Sequence, residues 1–302
     1  MERLRNVIGL EVYQKFLDGN IDTISSILLK PLSELQQLTG IPIQQLEEAR
    51  KRASEIILES EFSTADKIPA WERLGTGCSS IDSILSGGIP INGLSEIFGC
   101  SGVGKTQLCL QLALTVQLPQ TLGGKEKGAV YLCTEDVFPS KRLHQLAASF
   151  QAKYRLPQLD FESGVYLEHV ADYEQLRRCL CVRLPQLLRV KNIGLLVVDS
   201  IAGVFRSENE DVLLRHQGAG HEQYSRQFAR FVCVNQVTEN VDLGVTEPCL
   251  GLAWGNNVTC RFGITRYDHN PLREFEVVFA PDLPNRKCSF AITEEGIVNV
   301  GD

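Results

Sequence analysis

The stretch Gly99-Cys100-Ser101-Gly102-Val103-Gly104-Lys105-Thr106 constrains this chain more than any other. It fits G-x-x-x-x-G-K-[ST], follows a strand-like run from Leu94 to Phe98, and opens an apolar helical segment that reaches Gln117. A glycine-rich turn between a buried strand and a helix wraps phosphate, because its backbone N–H groups and the helix N-terminus supply positive potential. In that arrangement Lys105 reaches the β- and γ-phosphates of ATP, and the Thr106 hydroxyl ligates Mg2+. The loop thus meets all three requirements of its context, the motif, the strand before it and the helix after it.

The rest of the chain from Trp71 onward keeps that rhythm. Apolar β-rich runs at Val130 to Cys133, Val165 to Val170, Ile193 to Val198 and Phe231 to Val234 alternate with helical patterns, which predicts a largely parallel sheet covered by helices. Later runs at Arg261 to Thr265, Glu274 to Phe279 and Cys288 to Ile292 come without intervening helices and predict an antiparallel extension. This core is expected to occupy residues 74–302. A carboxylate that positions the metal belongs at the end of a neighbouring buried strand, and Gly194-Leu195-Leu196-Val197-Val198-Asp199-Ser200 supplies Asp199. The bland alternative for Asp199 is a helix cap after a core strand.

Residues 1–58 carry no strand-like run. Apolar residues recur at helical spacing, Leu35 and Leu38, then Leu46, Ala49, Ala53, Ile56 and Ile57, which predicts a small helical domain. Ser33 with Gln36 matches a capping box, and Thr39-Gly40-Ile41-Pro42 breaks the pattern before a second charged helix from about Ile43. The turn is similar to a helix-hairpin-helix module, whose exposed N–H groups meet a DNA phosphate. A bundle that only packs against a partner is an equal alternative, given Glu47, Glu48, Glu55, Glu59 and Glu61 nearby. Residues 59–73 are polar, contain Pro69, and read as a linker.

At 302 residues the chain suits two domains better than one, and 43% hydrophobic residues suffice for a buried core. A net charge of -7 means that any contact with nucleic acid must come from a local basic patch. No basic leader followed by an apolar run opens the chain, and its longest apolar stretch is too short to span a bilayer, which speaks against secretion and membrane insertion. The ten cysteines show no C-x-x-C pair and no Cys/His cluster of zinc spacing, so they read as reduced core residues.

Several runs together resemble the eukaryotic recombinases of the RecA superfamily: Leu85-Ser86-Gly87-Gly88-Ile89, Thr106-Gln107-Leu108, Gln117-Leu118-Pro119, Tyr131-Leu132-Cys133-Thr134-Glu135 and Val234-Asn235-Gln236-Val237. The resemblance covers nearly the whole chain. Cys133-Thr134-Glu135-Asp136, Phe138-Pro139, Lys141-Arg142-Leu143 and Gly251-Leu252-Ala253-Trp254 look more like a recombinase paralogue. The resemblance implies a RecA-like P-loop ATPase core in which Glu135 orients or activates the attacking water and Gln236 senses the γ-phosphate. It also implies that Phe62-Ser63-Thr64-Ala65 acts as an F-x-x-A polymerisation motif, Phe62 and Ala65 anchoring the linker to a neighbour. Pro281-Asp282-Leu283-Pro284 matches the segment that caps a neighbour's nucleotide, and is equally readable as a simple loop.

Recombinases grip DNA with two loops, which here map near Phe205 to Gly220 and Thr238 to Ala253. The first offers Arg206 and Arg215. The second, Thr238 to Glu247, has acids and no Lys or Arg, a poor tracker of phosphate. A long amphipathic helix expected between Glu208 and Arg230 is interrupted by Gly218-Ala219-Gly220. The reading is therefore a nuclear paralogue that binds ATP and Mg2+, hydrolyses ATP slowly, pairs with another paralogue, assists the main recombinase and meets DNA through that complex. The rivals are an autonomous strand-exchange recombinase and an adaptor whose ATP only stabilises a subunit interface.

Overall fold

A computed structural model of the chain describes residues 5, 8–61, 65–67, 70–205, 230–240, 245–267 and 271–301. It divides into two compact units, Met1–Ala70 and Trp71–Asp302.

The first unit holds helices α1 (Leu10–Asp18), α2 (Ile24–Leu29), α3 (Leu32–Thr39) and α4 (Ile43–Glu61). Phe16, Ile21, Ile27, Leu35, Ile41, Leu46, Ala49 and Ala53 form its core. Three of these lie on one face of α4 at the spacing an amphipathic helix requires. Leu38, at helical spacing from Leu35, is 46% exposed. The capping box at Ser33 does not form: Pro31 stands at the N-cap, with no side-chain cap bond, and Ser33 is already inside the helix. Gly40, at φ 64°, ends α3 by donating its N–H to the Gln36 carbonyl, the left-handed stop that a residue without Cβ allows. Arg50 of α4 donates to the carbonyls of Ile27 and Lys30, satisfying the end of α2 with a cation. Helix α4 runs to Glu61, so the first part of the expected linker is helical. Phe62 lies outside the described residues, and Ala65 opens a short 3-10 turn to Lys67.

The second unit contains strands β1 (Arg73–Leu74), β2 (Ile89–Pro90), β3 (Gly93–Phe98), β4 (Gly128–Cys133), β5 (Val165–His169), β6 (Ile193–Asp199) and β7 (Arg230–Asn235). These are followed by β8 (Val237–Asn240), β9 (Val245–Pro248), β10 (Cys260–Arg266), β11 (Arg273–Phe279), β12 (Lys287–Thr293) and β13 (Gly296–Asn299). The main sheet runs β13-β12-β11-β10-β3-β7-β6-β4-β5, parallel from β10 to β5 and antiparallel from β10 to β13. The run at Arg261 to Thr265 therefore differs from its expected place in a purely antiparallel meander, since β10 lies parallel to β3. A short helix, α11 (Gly251–Gly255), supplies the crossover that the sequence reading missed.

The helices are α5 (Ser79–Ile84), α6 (Lys105–Thr115), α7 (Ser140–Tyr154), α8 (Tyr173–Arg178), α9 (Leu184–Val190) and α10 (Ile201–Phe205), with a π turn, Cys179–Arg183, joining α8 to α9. Two cores lie on opposite faces of the sheet. Along β6, Leu195 and Val197 point to one and Leu196 and Val198 to the other, as a strand buried on both sides must. Helix α6 is buried along its whole length from Leu108 to Thr115. Six of the ten cysteines are buried, as read from the sequence; Cys100 and Cys181 are exposed.

Gln111, on α6, locks the far end of the sheet. Its Nε2 donates to the carbonyls of Thr76 (2.7 Å) and Ile297 (3.1 Å), while its Oε1 accepts from the Ile297 N–H (2.7 Å). Gln111→Ala leaves three buried backbone groups unpaired and is expected to cost about 1–3 kcal/mol or more. Urea denaturation checks this, and a loss below about 0.5 kcal/mol, typical of neutral surface substitutions, counts against the clamp.

Candidate functional site

The loop from Gly99 to Thr106 joins β3 to α6, and its glycines are there for backbone reasons. A Cβ on Gly99 would stand 2.4 Å from the Ile264 carbonyl oxygen of β10, closer than real atoms come. Gly104 holds φ 114° at the N-cap of α6, a conformation that side chains resist. Cys100, Ser101 and Gly102 are exposed at the loop's crest, while Val103 is tucked into the core. Lys105 is buried, and its ammonium donates to the carbonyls of Gly99 (2.6 Å) and Cys100 (2.7 Å). Burial lowers its pKa, with the Asp199 carboxylate pulling the other way.

Strand ends supply the opposite wall. Asp199, the last residue of β6, accepts from the Thr106 hydroxyl (2.7 Å) and the Tyr131 phenol (2.6 Å) through one oxygen, Oδ2. Burial, then the neighbouring Asp199 charge, pushes the Tyr131 phenol well above its ordinary value, so it remains a donor. Beyond the end of β4, the exposed Glu135 carboxylate accepts at Oε2 from Ser200 Oγ (2.7 Å) and Gln236 Nε2 (2.7 Å). Thr134 and Ser200 are tied reciprocally: the Thr134 hydroxyl donates to the Ser200 carbonyl (2.6 Å) and accepts from the Ser200 N–H (2.8 Å). A pocket of about 220 Å³ opens between these groups, lined among others by Thr106, Tyr131, Cys133, Glu135, Phe138 and Asp199. Phe138 meets Tyr131 edge-on, with ring centroids 5.2 Å apart.

The site thus brings together Lys105, Thr106, Asp199, Glu135 and Gln236, residues that span 132 positions of sequence. The reading of single residues did not single out Tyr131, Thr134 or Ser200. Tyr131 could have been found as a hydroxyl inside an apolar strand, which needs a partner. Arg206 and Arg215 lie outside the described residues. The second expected DNA loop is partly the hairpin of β8 and β9, in register from Val237 opposite Pro248 to Asn240 opposite Val245. In the expected cap segment, Asp282 pairs with Arg73 and Leu283 is buried in the core.

A glycine-rich loop at the C-terminal end of a parallel strand, faced by polar groups from neighbouring strand ends, defines a P-loop α/β core of the RecA-like class. The profile of the Rad51 family matches residues 71–300, and the chain belongs to that family, whose members bind ATP. Among its relatives, DNA repair protein XRCC3 of Mus musculus is 36% identical, with 92% of each chain covered. DNA repair and recombination protein RadA of Aeropyrum pernix is 30% identical, over 96% of this chain and 94% of its own. DNA repair protein rhp57 of Schizosaccharomyces pombe is 28% identical, over 92% of this chain and 93% of its own.

Cys133, on the pocket wall, links the stability of the fold to alkaline pH. Its buried thiol is pushed up from 9.0 to about 11, mainly by desolvation and then by Asp199. As pH rises past 9 the unfolded chain releases this proton first, so it binds fewer protons than the native state and stability falls. The loss is complete once the folded thiol also ionises, near 11. In urea denaturation across this range, Cys133→Ala is expected to decline less steeply than the unaltered chain. Equal slopes would remove Cys133 from the cause.

Proposed function

We propose that this protein is an ATP- and Mg2+-binding recombinase paralogue that serves homologous-recombination repair of DNA breaks in a complex with another paralogue. The observation that carries it is the meeting of Thr106 with Asp199, and of Glu135 with Gln236, at the strand ends facing the phosphate loop of a Rad51-family chain. The relatives named for DNA repair support the biological setting, and the nucleus is then where the complex works.

The hydroxyl of Thr106 and the carboxylate of Asp199 are hard oxygen donors 2.7 Å apart, a pair that fits Mg2+, which takes one or two protein oxygens and fills its octahedron with phosphates and waters. Among the described residues there is no cluster of three or more His, Cys, Asp or Glu that could make a closed metal cage. When bound, Mg-ATP supplies the triphosphate and the terminal phosphoryl group that water attacks. The loop N–H groups and Lys105 would hold the phosphate chain by charge. With the nucleotide bound, Glu135, held by Ser200 and Gln236, would orient the water, and Gln236 would address the terminal phosphate from the end of β7. Slow turnover is expected.

Acidic residues in the second loop favour a paralogue over an autonomous filament. The hairpin pairs Glu239 with Thr246 and Thr238 with Glu247 in register, where a phosphate-tracking loop would carry cations. DNA contact is therefore assigned to the complex, with Arg206 and Arg215 as this chain's candidates. Phe62 and Ala65 are the proposed anchor to the partner paralogue, and Pro281 to Pro284 the segment that reaches a neighbour's nucleotide.

A ligand that binds only the folded state at about 100 times its Kd adds about 2.7 kcal/mol, seen as a rise in melting temperature. Mg-ATP is expected to produce that rise, and Lys105→Ala to remove most of it. An unchanged shift in Lys105→Ala would defeat the phosphate-loop assignment. Glu135→Gln is expected to lower the ATPase rate while leaving the thermal shift in place. For the partner, light scattering of the chain mixed with a second paralogue should show a defined hetero-complex that Phe62→Glu abolishes; long polymers of this chain alone would instead indicate an autonomous recombinase.

A further inference from the structure

Glu96 puts a carboxylate in the middle of β3, the central strand, with no exposure to solvent. Its Oε1 accepts from Trp254 Nε1 (2.6 Å) and Asn235 Nδ2 (2.8 Å), and its Oε2 accepts from Arg261 Nε. Three donors converge on one acid, the complement of a carboxylate. They come from three different elements: α11, the end of β7, and β10. A buried ion pair brings little net stability, because desolvation offsets the attraction. What the arrangement fixes is the relative position of those elements.

The position it fixes is that of Gln236. Asn235 accepts the Gln236 N–H on Oδ1 (2.8 Å) and donates from Nδ2 to the Cys249 carbonyl (2.8 Å) as well as to Glu96. The Cys249 N–H in turn donates to the Gln236 carbonyl (2.8 Å). Both ends of the Gln236 backbone are therefore held by groups tied to Glu96, while its side chain donates to Glu135 in the pocket. Glu96 also stands three residues before Gly99, on the strand that feeds the phosphate loop. On the far side, Trp254 packs near Phe205, with ring centroids 6.5 Å apart.

We propose that Glu96 is a positioning residue: it sets how Gln236 addresses the terminal phosphate and passes movement of Gln236 to the Cys249–Trp254 segment beyond the β8–β9 hairpin. This rests on the nucleotide reading above. The alternative, that the cluster only fastens α11 to the sheet, gives a different result in a cycle of substitutions.

In the full-length chain, affinities for Mg-ATPγS and Mg-ADP are measured and their ratio taken as the sensing of the terminal phosphate. Gln236→Ala is expected to lower the ratio about tenfold, and Trp254→Phe, which removes one donor to Glu96, about threefold to fivefold with ADP affinity unchanged, as for residues acting through one network. The double variant should fall no further than Gln236→Ala alone. Val258→Ala, a packing change in the same core, should leave the ratio as it was. If Trp254→Phe does not fold, Arg261→Lys tests the same carboxylate from its other oxygen, with the same fall expected. An unchanged ratio in the Trp254 or Arg261 variant, or losses that multiply in the double variant, would overturn the role of Glu96 while leaving nucleotide binding intact. Failure of the unaltered chain to bind either nucleotide would overturn the nucleotide reading and this inference with it.

Discussion

Hydrogen-bond ladders on both sides of β3 hold the phosphate loop open. β7 pairs with β3 from Gly93 to Phe98 and β10 pairs with it from Ser95 to Phe98, so the strand that enters the loop cannot slide without breaking both. Because side chains alternate with a period of two, a slip of one residue would also turn Glu96 out of its cluster and Ile97 to the opposite face of the sheet. The close approach of Gly99 to the Ile264 carbonyl is the last contact before the chain leaves the sheet. The loop's shape is thus set by the sheet, and its glycines permit what the sheet demands.

From that fixed edge, the remaining polar groups of the site follow as neighbours. β4 and β6 run parallel with Cys133 opposite Asp199, which places Thr134 and Glu135 next to Ser200. β6 lies between β4 and β7, and Gln236 from the end of β7 reaches across the end of β6 to Glu135. Glu135 and Ser200 follow adjacent strands, whereas Gln236 and Glu135 follow strands on either side of β6 and meet across its end. Asp199 sits where these neighbours meet, accepting from Thr106 and Tyr131 through the same oxygen, and it is the Tyr131 phenol, kept protonated by burial, that leaves this carboxylate a fixed direction.

Much of this was legible from residue types and spacing. The Gly99–Thr106 loop, the strand ending at Asp199 and the alternation of apolar runs were readable because a buried parallel strand must be apolar on both faces. Helix α11 was missed because five residues make too short a period to detect, and with it the parallel pairing of β10 with β3, while the antiparallel pairing of β10 with β11 is as expected. The capping box at Ser33 failed because Pro31 starts the helix earlier than the side-chain pattern suggested. Leu38 kept helical spacing with Leu35 yet faces solvent, since spacing fixes a stripe and not its width. The polar links of Thr134, Ser200, Asn235 and Trp254 were beyond reach, as they depend on which strands lie side by side. Glu96, a charge within the apolar run from Leu94 to Phe98, was not singled out, although a buried acid there must have donors.

The strand order has a consequence for how the chain comes off the ribosome. Both neighbours of β3 lie far downstream, β7 ending at Asn235 and β10 at Arg266, so β3 emerges early and stays unpaired on both edges while well over a hundred residues are added. Contacts this distant in sequence are slow to form, and an apolar strand with two open edges is the kind of segment that chaperones shield and that misfolding exploits. A nascent chain interrupted before β10 would carry the complete phosphate-loop sequence but only one side of the ladder that shapes it.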